Sequence, residues 1–169
     1  MCLGYYAKEG FSSPSSFGGS RYEVIHVTDD AFFRKRRSEL LTAVVAKAFP
    51  TPLRYRQVWH LARGTKPLYA WKPVPPEGYC ALGMVCTTSE SPPSVDVMRC
   101  VPSHWCMATE FLPMKIWDDS GAGGGKPGSI WVVNPHGLIA FVAGHDAPKD
   151  AFLELKYSTL PLDELDFNS

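Results

Sequence analysis

"KIWDDSGAGGGKPGSIWVVNPHGLIAFVAG", Lys115 to Gly144, decides the architecture, because a shorter counterpart stands upstream: "QVWHLARGTKPLYAWKPVPPEGYCALG", Gln57 to Gly83. Each begins with an apolar residue followed by tryptophan, Val58-Trp59 or Ile116-Trp117, and crosses a turn that ends in Lys-Pro. Each then resumes in an aromatic run holding Trp71 or Trp131. Pro-x-Gly follows both times, as Pro76-Glu77-Gly78 and Pro135-His136-Gly137. Trp59 to Trp117 and Trp71 to Trp131 each span about 60 residues, a period at which self-similarity reads as a duplicated structural unit. Two apolar runs joined by a glycine-bearing turn are a hairpin signal. The chain therefore reads as two copies of a small antiparallel sheet whose indoles fill the core.

Glycine and lysine together also suggest a phosphate loop, and the particulars exclude it. That motif needs a hydroxyl after the lysine and then a helix, whose N-terminus receives the phosphate. Here Pro127 follows Lys126 and a strand, "SIWVV", comes next. No nucleotide is expected. Asp118 and Asp119 supply two carboxylates where calcium takes about six or more oxygens, and aspartate opening a turn is the commoner use. Asp118, Asp119 and Lys126 are kept as candidate contact residues on the longer hairpin.

Outward from the repeats, prolines and glycines punctuate short runs such as "YRQVWHL", "CALGMVCTT" and "VDVMRCV", the texture of an all-β domain. Before them, "TDDAFFRKRRSELLTAVVAKAFP" carries a helical period, with Thr28, Asp29 or Asp30 as N-cap and Pro50 past the end. The fold expected is mainly β, a prism-like or sandwich arrangement of two repeats with one N-terminal amphipathic helix. A flexible arm is expected over 1–20, a single domain over 21–157 and an acidic-apolar tail over 158–169. Within the domain, the helix is expected over 29–48 and the β repeats over 55–101 and 113–157.

Two further segments are candidates for contact. Arg34, Lys35, Arg36 and Arg37 form a basic run able to attract an anionic membrane surface or an acidic partner. The tail "LPLDELDFNS" alternates Leu162, Leu165 and Phe167 with acidic residues, the composition of a peptide that docks in a groove. The whole chain has 17 basic and 17 acidic residues, so no global field draws nucleic acid.

Five cysteines, an odd number, and an N-terminus without the basic-then-apolar build of a signal peptide lead us to expect reduced thiols in the cytoplasm, free or peripheral to a membrane. Zinc prefers a tighter spacing than Cys80-x5-Cys86 or Cys100-x5-Cys106. A nucleophile built from Cys106 and one of His26, His60, His104, His136 or His145 has no local signature. No cofactor, metal or catalytic set is expected.

The run from "VWHLARGTKPLYAWKPVPPEGYCALGMV" through "SPPSVDVMRCV" to "KIWDDSGAGGGKPGSIW" resembles the repeat of the vacuolar protein sorting sixty-two-related family. That repeat is found also inside lipid-transfer proteins of the vacuolar protein sorting thirteen type. The resemblance covers Tyr55 to Gly144; the second unit departs from it by lacking Pro-Pro and Gly-Tyr. It implies a non-catalytic interaction or scaffolding module of membrane trafficking or lipid transfer, contacting a protein assembly or a membrane surface. The alternatives are a structural subunit of a large complex and, less favoured, a Cys/His-dependent enzyme.

Overall fold

The computed structural model describes residues 1–5, 7, 37–62, 67–120 and 125–156. Helix α1 spans Arg37–Ala48, and ten strands follow among the described residues. Strands β1 (Arg54–Leu61), β2 (Leu68–Val74) and β4 (Val85–Thr87) form one antiparallel sheet. Strands β7 (Met114–Asp118), β8 (Gly128–Val132) and β9 (Ile139–Ala143) form its counterpart. Two smaller pairs complete the set: β3 (Tyr79–Cys80) with β5 (Val101–Pro102), and β6 (Cys106–Ala108) with β10 (Leu153–Leu155).

The duplication extends to the register. In the first sheet Gln57 opposes Trp71 and Trp59 opposes Ala70, so Val58 is an extra residue. In the second, Lys115 opposes Trp131 and Trp117 opposes Ile130, and Ile116 is extra in the same way. A bulge turns the residues after it to the other face of the sheet. Thus Tyr55, Tyr69, Trp71 and Val85 pack on one face of the first sheet with Met98, while Trp59 and Ala70 point to the opposite face. The Pro-x-Gly turns match too: Gly78 has φ 78° and Gly137 φ 75°, left-handed values that glycine adopts without a steric penalty.

One core cluster draws on both three-stranded sheets: Trp59, Ala70, Met84, Trp131, Val133, Ile139, Ala140 and Phe141. A separate cluster gathers Phe49, Cys80, Leu82, Val101, Trp105, Cys106 and Leu138. Helix α1 reaches that cluster by its C-terminal turn, through Val45, Ala48 and Phe49, with the Phe49 ring 5.8 Å from that of Trp105. Positions i, i+3 and i+4 share a helix face, which is why these three meet the core together.

Residues 1–5, expected within an unordered arm, are instead built in. Tyr5 donates its N–H to Met84 (3.0 Å) and accepts from the N–H of Ile139 (3.0 Å), joining the two units. Cys2 accepts from the N–H of Arg99 at 2.8 Å. The expected arm beyond residue 7, the first part of the expected helix and the tail from 158 lie outside the described residues.

Candidate interaction site

The longer hairpin is held at its base by the first unit. Trp59 donates its indole N–H to the carbonyl of Lys126 at 2.8 Å, and its ring lies against the backbone of Gly128. A Cβ at Gly128 would stand 2.2 Å from Cε2 and Nε1 of Trp59, so this position admits no side chain without displacing the indole. Trp59 also stacks on Phe141, with centroids 6.2 Å apart and an interplanar angle of 20°. The hairpin base is thus packed, while its tip, 121–124, lies outside the described residues.

Asp119 closes the hairpin. Its carboxylate accepts from the N–H of Gly128 at 2.9 Å and meets Nε2 of His145 at 2.6 Å. The Gly128 amide and then the His145 bond hold its pKa below the usual carboxylate value. Asp118 accepts from the hydroxyl and from the N–H of Ser120, and lies 3.2 Å from the ammonium of Lys115. Those partners, Ser120 foremost, lower its pKa to about 2. Asp118 ends β7 and Asp119 follows it, and both have acceptor capacity engaged locally. Lys126 takes part through its backbone carbonyl, and its side chain is exposed.

An exposed apolar strip lies beside this hairpin. Leu112 is 85% exposed, Met114 58% and Trp117 37%. Directly paired residues of antiparallel strands share a face, so Met114 opposite Val132 and Trp117 opposite Ile130 stand on one face of the second sheet. Lys115, opposite Trp131, is on the other face, where its ammonium sits 5.1 Å from the centre of the Trp131 ring. Strand β7 forms an edge of its sheet among the described residues, with β8 its hydrogen-bonded neighbour.

Trp117 was expected in the core with the other tryptophans, and the structure corrects this. Trp59, Trp71, Trp105 and Trp131 are buried; Trp117 meets Trp59 edge-on at 5.9 Å and keeps its outer part in solvent. The physical reason lies across the repeat. Trp59 lies on the bare backbone of Gly128, whereas the corresponding position in the first hairpin is Leu68, which offers an indole no such bed. Leu112 and Met114 were not singled out in the sequence; the available signal was "FLPM", apolar residues around a proline in a connection between repeats.

Of the other candidates, Arg34, Lys35 and Arg36 lie outside the described residues, as do Leu162, Leu165 and Phe167. Arg37 is the first residue of α1, with nothing described of its side chain. The structure therefore brings Asp118, Asp119 and Lys126 together at the base of one hairpin. Among the described residues no three His, Cys, Asp or Glu side chains gather as a metal site. No described helix is long and apolar enough to cross a membrane. Cys106 bonds to Cys80 and to the carbonyl of Pro102 rather than to an imidazole.

Comparison with known proteins follows the same outline. No curated protein is significantly similar to the chain. A solved structure, "Crystal structure of GNIP1Aa from Chromobacterium piscinae", is similar at 28% identity and a TM-score of 0.50, over 60% of this chain. The chain spans only 22% of that protein's length. The family described as "Vacuolar protein sorting-associated protein 62" matches residues 21–140, which include α1 and all strands up to the start of β9. On that match, covering well over half of its length, the chain belongs to the Vps62 family.

Proposed function

We propose that the domain is a non-catalytic docking module of vacuolar sorting that grips a protein assembly through the apolar strip at β7, in the cytoplasm or peripheral to a membrane. The observation that carries the reading is the exposure of Leu112, Met114 and Trp117 beside an edge strand. Large apolar side chains in water gain by burial, at roughly 25 cal/mol per Å², and aromatic residues with a polar rim are the common anchors of interfaces. The polar side chains that border the strip are Lys115 and Asp118, paired with each other on the other face of β7, and the exposed Lys126 across the hairpin. Family membership supports a sorting role; scaffolding and lipid transfer are the settings in which such a module would serve.

The test uses Leu112→Ser with Met114→Ser, two exposed positions whose replacement leaves the shared core intact. Co-purification of partners from native cells should fall about tenfold, the effect of losing roughly 1.4 kcal/mol of binding, while the melting temperature stays within about 2 °C of wild type. Equal recovery of every partner by the variant would overturn the reading. Flotation with anionic vesicles that survives in the wild type and is lost on charge reversal of Arg34 and Arg36 would favour a membrane surface instead.

A further inference from the structure

We propose that Cys80 and Cys106 are an oxidisable pair, which closes to an intrachain disulfide by exchange with a low-molecular-weight disulfide and so staples the first β unit to strand β6. Their sulfurs stand 2.8 Å apart inside the cluster formed with Val101, Trp105 and Leu82. A disulfide bond is about 2.05 Å long; closure therefore asks for a movement of less than about 1 Å. Cys80 lies in β3 and Cys106 in β6, on two different small sheets that the bond would join.

The pair differs from the other thiols of the chain. Burial raises Cys86, and raises Cys100 to about 11, so each behaves as a small apolar side chain. At Cys80 hydrogen bonding from Cys106 and from Ser103 outweighs burial and favours the thiolate, while the same pairing makes Cys106 the harder of the two to ionise. The first nucleophile is accordingly Cys80. Access is short: Ser103 and His104, in the turn that leads to Cys106, are exposed.

The chemistry balances in two exchanges. The Cys80 thiolate attacks one sulfur of the oxidant and releases a small thiolate, leaving a mixed disulfide. Cys106 then loses its proton, attacks Sγ of Cys80 and displaces the second small thiolate. Two electrons and two protons pass from the protein to the oxidant, which leaves as two thiols.

The full chain is incubated with oxidised glutathione, and its peptides are mapped without reduction by mass spectrometry. We expect a linked Cys80–Cys106 peptide pair, the loss of two titratable thiols, and a melting temperature about 7–14 °C above that of the reduced protein, the rise expected for closing a loop of this size. Recovery of both as free thiols, capture of either by Cys100, or glutathione retained on Cys80 as the end product would overturn the proposal. Cys106→Ala supplies a second reading: Cys80 should then stop at the mixed disulfide, and a Cys80 that remains unmodified would sink the assigned order of attack.

Discussion

Gly128 and Trp59 show how a single atom can fix the contact between two units. An indole can lie on backbone only where no Cβ intervenes, and the Cβ that alanine would bring to position 128 meets Trp59 at 2.2 Å. Trp59 is only 4% exposed and is held by the Lys126 carbonyl and the Phe141 ring, so it cannot swing aside freely. Gly128→Ala should cost about 2 kcal/mol, within the range for overpacked cores, and lower the melting temperature by about 4–8 °C. Because the clash is with the pyrrole side of the indole, the penalty should shrink in a Trp59→Phe background. A double-mutant cycle measured by chemical denaturation checks the coupling; a penalty of equal size in both backgrounds would refute the contact as its cause.

At the scale of the element, the bulges determine which way each first strand faces. Strict alternation would put Trp59 on the same face as Tyr55 and Gln57, away from the second unit. The extra residue Val58 reverses that, and Ile116 does the same for Trp117. Deleting Val58 would join Gln57 directly to Trp59 and leave Trp59 opposite Ala70 on the face it already occupies, so the variant should still fold cooperatively, losing the packing of Val58 and the kink of the bulge. Val58→Ala, which keeps the chain length, should cost about 1 kcal/mol and leave a single sharp transition. Near-ultraviolet circular dichroism during thermal unfolding reads both variants; loss of the sharp tertiary transition on deleting Val58 would refute its assignment as the extra residue.

Across the whole molecule, the units are joined by a few backbone ties as well as by apolar burial. Asn134 is fully buried; its amide donates to the carbonyls of Leu82 (3.1 Å) and Leu153 (3.2 Å), and its oxygen accepts from the N–H of Leu138 (3.1 Å). One side chain thus fastens the second unit to the first and to β10. Asn134→Ala leaves three backbone groups buried without these partners, each worth roughly 1–3 kcal/mol. We expect a loss of about 3 kcal/mol and a melting temperature about 6–12 °C lower, read by calorimetry. A change below about 1 kcal/mol would show that other groups or water take the place of the amide.

The sequence by itself determined the duplication, the hairpins, the Pro-x-Gly turns and the burial of Trp59, Trp71 and Trp131. Each of these is written in local spacing: the interval between tryptophans, the period of two in a strand, the glycine that a left-handed turn requires. Only the tertiary structure decided that Trp117 stands partly in solvent, that Asp119 is a clamp for Gly128 and His145, and that Tyr5 bridges the two units. It also decided that Cys80 meets Cys106, two residues that the sequence spacing set apart in Cys80-x5-Cys86 and Cys100-x5-Cys106. The reason is physical. An extra residue in a strand changes the face of everything after it, and which residue of one copy lies on which residue of the other depends on packing across the interface, to which no interval within either copy refers.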